Sequence, residues 1–330
     1  MLYDKGNWVR SRAQRALPVD DIRRLVDAAF PGSSVVSAQA FAGGLANSNY
    51  KLHLHGCAHP IVLRIYDREP AACWKEVDIY RMICGTVPVP EILHAEPAGL
   101  DGIGPFVVMQ YVEGLTLREL KASRETPAIR QAAQSVGKTL AAIGRYTFSM
   151  PGWLGSGPSV TGGFGFDSPG FVESCLDSRI LQGRMESAAM DRVRRQVWSW
   201  AERLALLDQD SRLVHCDLNS PNILVRAAGG RWIVAAVLDW EFAVSGSPIL
   251  DVGNFLRYEH ESRPRFEPYF SLGYAEAGGK LPDDWRTLAR ILDLTSLCEI
   301  LTRDALPKVV KNEVIELIQA TIDEDPAPAC

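Results

Sequence analysis

The hydrophobic pattern of the chain changes its period near Gly114, and this change most constrains the fold. Before that point, residues 34–41, 49–55 and 61–66 alternate apolar and polar side chains between turn-forming residues. Such alternation predicts short antiparallel strands. After Gly114, most apolar residues recur at helical spacing. We therefore predict an α+β fold, with an N-terminal antiparallel sheet followed by a larger, mainly helical part.

Individual segments refine this division of the chain. In the N-terminal part we predict helices over residues 20–30 and 72–84, and further strands over residues 92–95 and 106–112. In the C-terminal part we predict helices over residues 115–120, 128–146 and 190–207, a connector rich in Gly, Ser and Pro over residues 151–170, and a frayed end over residues 323–330. Residues 214–225 and 232–242 interrupt the helical pattern. The predicted domain boundary lies between residues 112 and 113, and gives an N-terminal domain, 1–112, with a helical extension, and a C-terminal domain, 113–330.

Composition narrows the class of protein. The 330 residues include 40 acidic and 35 basic side chains, for a net charge of −5. A nucleic-acid-binding protein normally carries a clustered basic excess, so we expect no nucleic-acid partner. The longest apolar runs fall far short of the roughly 20 residues that span a bilayer, and the first residues contain no apolar signal region. We expect a cytoplasmic protein without a membrane partner. Seven cysteines, an odd number with no CxxC pair, suit reduced thiols.

The strongest chemical signal is the pattern H-x-D-x-x-x-x-N, formed by His215, Asp217 and Asn222. Seventeen residues further on, Asp239 ends an apolar run. The Asn222 amide oxygen and the Asp239 carboxylate are hard oxygen ligands of the kind that Mg²⁺ uses when phosphate completes its coordination shell. Asp217 would then face a hydroxyl group. The alternative is that these polar residues only cap and turn a loop.

Other motifs occur around this one in a recognisable order. With the H-x-D-x-x-x-x-N pattern and the following Asp-Trp, they make the chain resemble the aminoglycoside phosphotransferase and choline-kinase-like family, whose fold is the bilobal protein-kinase-like fold. The resemblance covers residues 34–256. The matching segments are residues 43–49 (GGLANSN), 61–65 (IVLRI), 87–90 (VPVP), 106–114 and 246–251 (GSPILD).

The resemblance implies roles for further residues in binding ATP, with GTP as an alternative. Gly44, Asn47 and Ser48 belong to a short glycine loop over the phosphates. Arg64 stands where protein kinases carry Lys and is expected to bind the α- and β-phosphates, oriented by Glu76; a solvent-facing Arg64 is the alternative. The hinge residues are expected to meet the adenine, through the side chain of Met109, the carbonyl of Gln110 and the N–H of Val112, although core packing would equally explain Met109.

The resemblance also assigns supporting roles. His215 is expected to support the loop backbone, and Asp251 to brace the catalytic loop, with a helix cap as the alternative. Departures from the protein-kinase pattern favour a small-molecule substrate. Cys216 replaces the arginine that contacts a phosphorylated activation loop, and only twelve residues separate Asp239 from Asp251, with no A-P-E motif following. Many family members have Gly at position 216, so the backbone angle there is of interest.

These observations predict an ATP- and Mg²⁺-dependent phosphotransferase acting on a hydroxyl of a small molecule. An aminoglycoside-like antibiotic is the first candidate, which would imply a role in antibiotic resistance; choline, a sugar, an amino alcohol and a macrolide are alternatives. A nucleotide-binding module without turnover is an alternative of another class. The expected assembly is a monomer or a homodimer. Acidic acceptor-binding candidates are Glu241, Glu259, Glu261, Asp283 and Asp284. Trp240 and Tyr258 would favour choline through cation–π contact.

One competing motif fails. Gly137-Lys138-Thr139 has the ending of a phosphate-binding P-loop, but position 132 is Ala rather than the required Gly, and the segment follows a helical pattern.

Overall fold

The N-terminal part of the protein is built on one antiparallel sheet. The computed structural model describes residues 16–41, 47–165 and 167–324. The N-terminal elements are α1 (Val19–Ala29), β1 (Val35–Ala40), β2 (Ser48–Leu54), β3 (Ile61–Ile65), α2 (Ala72–Ile83), β4 (Ile92–Glu96) and β5 (Phe106–Gln110). The five strands lie in the order β1-β2-β3-β5-β4, and every neighbouring pair is antiparallel.

The two faces of this sheet serve different purposes. Leu63 and Ile65 on β3 point to one face, where they belong to the same buried cluster as Leu25 and Val26 of α1. Because side chains alternate along a strand, Arg64 points to the opposite face, towards α2. Arg64 is paired in register with Asn49 on β2 and with Val107 on β5. The alternation that builds the core therefore also places one cation on the face opposite α1.

The C-terminal part is mainly helical. Its helices are α3 (Leu117–Ser123), α4 (Thr126–Ile143), α5 (Ser168–Leu176), α6 (Arg179–Gln182), α7 (Ser187–Ser199), α8 (Ala201–Leu207), α9 (Ile249–Leu256), α10 (Glu267–Glu276), α11 (Trp285–Thr302) and α12 (Lys308–Glu324), with 3₁₀ turns at Ser220–Asn222 and Glu259–Glu261. Its strands are β6 (Leu115–Thr116), β7 (Gly152–Leu154), β8 (Val160–Gly162), β9 (Arg212–Val214), β10 (Ile223–Ala228), β11 (Arg231–Val237) and β12 (Val244–Gly246). They form two small sheets, ordered β11-β10-β6 and β8-β7-β12-β9.

The predicted α+β class is confirmed, with differences in detail. The connector over residues 151–170 contains β7 and β8, which complete a small sheet with β12 and β9. The single helix predicted over residues 190–207 is two helices, because the backbone leaves helical geometry at Trp200. Asp323, predicted to be frayed, lies within α12, and residues 325–330 are outside the described residues. The domain boundary between residues 112 and 113 remains a prediction.

A bilayer-spanning segment does not occur among the helices of residues 16–41, 47–165 and 167–324, since none combines the necessary length with sufficient apolar character.

The crossing of α4 and α10 depends on two glycines. A Cβ atom added to Gly137 on α4 would lie 2.1 Å from the carbonyl oxygen of Phe270, and one added to Gly273 on α10 would lie 1.9 Å from that of Gln134. Real Cβ atoms do not approach backbone oxygens so closely, so only glycine permits this packing. Gly137 is thus a helix-packing residue, in agreement with the rejection of the P-loop.

We predict that Gly273→Ala will lower the free energy of unfolding by about 1–3 kcal/mol, because the helices must separate to admit the methyl group. Gly162→Ala is the matched control, since nothing lies within 4 Å of a Cβ added there. Urea unfolding of both variants would measure the difference. Equal stability of the two variants would contradict the proposed packing constraint.

Candidate active site

A cleft of about 1500 Å³ contains most of the residues singled out by the sequence. Its walls come from the N-terminal sheet, the segment after β5, the loop between β9 and β10, and helices α9 and α11. Asp217, Asn222 and Asp239 all border it, although they come from two separate stretches of the chain. The cleft continues past them to a second end, called here the acceptor end, which is bordered by Phe171, Leu207, Asn254, Arg257, Leu292, Thr295, Ile300, Leu306 and Val310.

Two amides hold the carboxylate of Asp217. The Nδ2 atom of Asn219 donates to Oδ1 of Asp217 over 2.6 Å, and Nδ2 of Asn222 donates to Oδ2 over 2.9 Å. Asn222 Nδ2 also donates to the backbone carbonyl of Asp217 over 2.9 Å. Both oxygens of the carboxylate are therefore anchored, and its orientation in the cleft is fixed.

The backbone beneath Asp217 is held by a second carboxylate. Asp251 is fully buried, and its Oδ2 and Oδ1 accept hydrogen bonds from the backbone N–H groups of His215 and Cys216, over 2.8 and 2.9 Å. Cys216 has a φ of +62°, in the left-handed region that costs a non-glycine residue roughly 1–2 kcal/mol. The two hydrogen bonds to Asp251 offset this cost. The loop keeps its sharp turn at a cysteine, in a conformation that glycine adopts without this cost.

His215 completes the support of the loop. Its Nδ1 accepts a hydrogen bond from the backbone N–H of Asp217 over 3.1 Å, and its Nε2 lies 2.9 Å from the carbonyl oxygen of Leu238. The imidazole also packs on Trp240, with ring centroids 4.6 Å apart. His215 is fully buried and does not border the cleft within the described residues. It joins the Asp217 loop to the segment that carries Asp239.

Asp239 is reached by an arginine from the N-terminal sheet. Nη2 of Arg64 lies 2.6 Å from Oδ1 of Asp239, an ion pair between residues 175 positions apart. The backbone N–H of Asp239 donates to the hydroxyl of Tyr80 over 3.3 Å. Asp239 has a φ of +69°, a conformation that Asp adopts more readily than most residues. The structure thus brings the predicted phosphate-binding and metal-binding residues together.

Glu76 on α2 connects these groups from behind the cleft. Glu76 is fully buried. Its Oε2 lies 3.1 Å from Nε of Arg64 and accepts a hydrogen bond from the hydroxyl of Tyr66. Its Oε1 accepts a hydrogen bond from the backbone N–H of Trp240 over 2.8 Å. Burial raises the pKa of Glu76, while Arg64 acts in the opposite direction. Glu76 therefore fixes both Arg64 and the residue that follows Asp239.

The predicted nucleotide-binding residues lie at the other end of the cleft. Met109, Gln110 and Val112 border it, and Met109 is 5% exposed. Of the glycine loop, Gly44 is outside the described residues. Asn47 is buried, and its Nδ2 donates to Oε2 of Glu241 over 3.2 Å. The hydroxyl of Ser48 donates to Asp67.

The predicted acceptor-binding acids are dispersed. Glu241 borders the cleft but is 7% exposed and held by Asn47 and by Arg68, whose Nη2 lies 2.8 Å from Oε1. Burial, followed by the charge of Asp239, raises the pKa of Glu241 to about 7. Glu259 accepts hydrogen bonds from the backbone at the start of α10 and is not among the described residues that border the cleft.

The other acceptor candidates also lie elsewhere. Asp283 and Asp284 do not border the cleft within the described residues, and Asp284 binds Arg203 at 2.7 Å. The side chain of Glu261 is outside the described part. The aromatic residues suggested for choline are not cleft residues in the described structure either: Trp240 packs on His215, and the hydroxyl of Tyr258 donates to Glu313 over 2.6 Å.

The donor set fits a divalent cation such as Mg²⁺. Because Asn222 uses its Nδ2 atom on Asp217, its Oδ1 atom points to the opposite side of the amide, and with the Asp239 carboxylate it supplies two hard oxygen ligands to one cleft. The described residues hold no cluster of three or more His, Cys, Asp or Glu suited to a metal. Two protein ligands fill only part of the shell of a Mg²⁺ ion, and water or phosphate would complete it.

Sequence reasoning missed several residues of the cleft. Asn219 holds Asp217, a role that the sequence analysis did not assign to it. Phe41 and Tyr111 stack with centroids 6.5 Å apart beside the hinge, and both border the cleft. Asn254 and Arg257 border the acceptor end. The i, i+3 spacing of Asn254 and Arg257 at the end of α9 was the available signal for these two residues.

The Asp251 carboxyl gives stability a dependence on pH. Burial raises the pKa of Asp251 to about 6, whereas an unfolded chain has the ordinary value of about 3.9. Between these values the folded protein binds more protons than the unfolded chain. This contribution is therefore present at low pH and is lost as the pH rises through about 6.

Between pH about 4 and 6 the Asp251 carboxyl makes the free energy of unfolding fall as the pH rises, by roughly 1.4 kcal/mol per pH unit for one bound proton. We predict that Asp251→Asn will remove this dependence. The variant will also be less stable throughout, because one backbone N–H loses its acceptor. Urea unfolding over a series of buffers measures both effects. Parallel curves for the two proteins would contradict this prediction.

Comparison with known proteins agrees with the geometry. Residues 37–291 match the model of the phosphotransferase enzyme family (APH). Two curated relatives named acyl-CoA dehydrogenase family member 11 are 24% identical over 254 residues (Gallus gallus) and 26% identical over 199 residues (Pongo abelii). These alignments cover 73% and 59% of this chain but only 31% and 24% of the relatives, so the chain spans less than a third of their length.

Solved structures show the same fold at low identity. Aminoglycoside phosphotransferase APH(4)-Ia, in a ternary complex with AMP-PNP and hygromycin B, has a TM-score of 0.68 at 20% identity, over 92% of this chain and 98% of that one. The GDP complex of aminoglycoside 2'-phosphotransferase-IIIa has a TM-score of 0.66 at 16% identity, over 92% and 98%. The predicted protein-kinase-like fold is confirmed, and since the family match covers most of the chain, the protein belongs to the phosphotransferase enzyme family.

Proposed function

We propose that the protein transfers the γ-phosphoryl group of ATP, with Mg²⁺, to a hydroxyl of a small molecule. The main support for this proposal is that Asp217, Asn222, Asp239 and Arg64 all border one cleft. Bound nucleotide would supply the phosphoryl group and Mg²⁺ would neutralise phosphate charge. A binding module without turnover would need neither a fixed carboxylate at Asp217 nor oxygen ligands beside it.

Asp217 is the proposed acceptor of the hydroxyl proton. As the substrate oxygen forms its bond to the γ-phosphorus, the bond from that phosphorus to the β–γ bridging oxygen breaks, ADP leaves, and the proton passes to Asp217. The amides of Asn219 and Asn222 keep the carboxylate oriented during this step. Phosphoryl transfer has a loose transition state, so positioning contributes more than basicity.

Asn222 and Asp239 are the proposed metal ligands, and Arg64 the proposed ligand of the non-transferred phosphates. Arg64 now pairs with Asp239 and Glu76. A guanidinium carries five N–H donors, and the pairs with these carboxylates leave Nη1 for phosphate oxygens. At the hinge end, Met109, Gln110 and Val112 are proposed to contact the base; Phe41 and Tyr111 provide aromatic surface there. GTP stays an alternative to ATP.

Two acceptor classes differ in charge. The sequence resemblance favours an aminoglycoside-like polycation, and one of the similar structures contains hygromycin B. A cleft lined by unpaired acidic side chains would attract such an acceptor electrostatically. In this cleft Glu241 is paired with Arg68, and Glu299 is paired with Arg303 at 2.6 Å. Three further acids, Glu119, Asp167 and Asp208, border the cleft without a cationic partner among the described residues and would attract such an acceptor.

We predict that Asp217→Asn will reduce acceptor-dependent ADP release by about 100-fold or more, the usual contribution of a positioned general base. A coupled ADP-release assay against aminoglycosides, choline, sugars, amino alcohols and hydroxy acids measures this. Binding of a non-hydrolysable ATP analogue should persist, and the exposed control Asp304→Asn should behave as wild type. Turnover at the wild-type rate by a folded Asp217→Asn protein would remove the mechanism.

We predict that Arg64→Ala will raise the KM for ATP and lower kcat, each by about tenfold or more, because a charged hydrogen-bond donor to phosphate is lost. Arg64→Lys should recover part of both, since it restores the charge but not the planar fork. Steady-state kinetics with varied ATP, after unfolding curves confirm the fold, provide the test. Kinetic constants unchanged by Arg64→Ala would show that Arg64 has only a structural role.

A further inference from the structure

Two buried polar side chains, Asn254 near the end of α9 and Arg257 directly after it, border the acceptor end with N–H groups that have no partner among the described residues. Asn254 is 4% exposed, and its Oδ1 is buried without a hydrogen-bond partner. Arg257 follows one helical turn later, with a side chain that is 3% exposed. Both border the cleft. Nδ2 of Asn254 also has no hydrogen-bond partner among the described residues, and since buried amides usually have one, this free donor beside the cleft points to a ligand.

Arg257 is held rigidly by Asp293 on α11. Its Nε and Nη2 donate to the two carboxylate oxygens over 2.7 and 2.6 Å, an arrangement that uses one edge of the guanidinium. Nη1 has no hydrogen-bond partner among the described residues. A purely structural ion pair would be complete with Asp293 alone. The remaining N–H groups are thus fixed in position beside the cleft.

The charge of Arg257 is maintained close to the catalytic residue. Burial acts to lower the pKa of Arg257, but Asp293 overcomes this and raises it above the ordinary value, with a smaller contribution from Asp217. Arg257 and Asp217 border the same cleft, and in the proposed function one small molecule lies against both residues.

The remaining wall of the acceptor end combines apolar side chains with polar ones, among them Thr295, Ser296 and Glu299. A Cβ added to Gly253 would lie 2.2 Å from the carbonyl oxygen of Ala289, so this glycine lets α9 approach α11 closely. Beyond Arg257 the wall continues with apolar side chains from α5, α8, α11 and the start of α12: Phe171, Leu207, Leu292, Ile300, Leu306 and Val310. An acceptor with an apolar chain would pack against these apolar side chains.

We propose that Asn254 and Nη1 of Arg257 bind a carboxylate of the phosphoryl acceptor, which is therefore a hydroxy acid with an apolar chain. This inference rests on the proposed function and names its substrate class. A guanidinium N–H and an amide N–H can both donate to one carboxylate, and a charge-assisted hydrogen bond is stronger than a neutral one. Arg257 would instead repel a polycationic acceptor, because both carry positive charge.

The test compares acceptors that differ only in charge. Hydroxycarboxylic acids of graded chain length, their methyl esters, and amino alcohols of the same length are assayed for ADP release. We expect wild-type kcat/KM for the best acid to exceed that for its ester by about 10- to 100-fold, the range of one hydrogen bond to a charged group. Calorimetric binding of the acid in the presence of a non-hydrolysable ATP analogue gives a second readout.

Two variants separate recognition from folding. Asn254→Leu removes an amide that has no partner in the described structure, so the fold should tolerate it. Arg257→Met combined with Asp293→Leu removes both buried charges together, which avoids leaving one unpaired. Both variants should raise the KM for the acid and lose most of the preference over the ester, with the KM for ATP unchanged. Arg286→Met, at an exposed arginine outside the described walls of the cleft, is the control.

The outcomes distinguish the two levels of the proposal. Equal use of acids, esters and amino alcohols, or a preference that survives in both variants, would overturn the carboxylate site while leaving the phosphotransferase intact. Failure to bind nucleotide or to release ADP with any acceptor would overturn the proposed function. In that case the calorimetric measurement still decides the inference, since an acid that does not bind, or binds the variants equally, contradicts it.

Discussion

The carboxylate of Glu76 is the contact on which the arrangement of the cleft depends. It is fully buried on α2 and joins Arg64 of the sheet to the backbone of Trp240, the residue after Asp239. Removing one partner from a buried ion pair typically costs about 3–5 kcal/mol, because the other charge is left unpaired. Arg64 also contacts Asp239 directly, so a single buried cluster sets the distance between the two sides of the cleft.

A second buried carboxylate does the same for the loop that carries Asp217. Asp251 binds two successive backbone N–H groups, and His215 links the loop to the carbonyl of Leu238. The loop and the Asp239 segment are therefore tied together behind the cleft, where solvent does not reach. Charges that would be costly to bury singly are each matched by hydrogen bonds, and this fixes the cleft before any ligand arrives.

Much of this site was predictable because its residues lie in short motifs. The spacing of His215, Asp217 and Asn222, and the strand and helix that carry Arg64 and Glu76, depend on local pattern. The role of Asn219 was not predictable, because a polar residue in a loop has the same local signal whether it turns the chain or holds a carboxylate.

Contacts between segments that lie far apart in the chain could not be predicted from the sequence either. The pairing of β7 and β8 with β12 and β9 joins short strands of three residues each, too short to show a period.

The described walls of the cleft contain five arginines and no lysine. The arginines are Arg64, Arg68, Arg118, Arg257 and Arg303. A guanidinium keeps its proton and offers no nucleophilic lone pair. Acylating nucleotide analogues that label a lysine amine would therefore meet guanidinium groups along the described walls of this cleft.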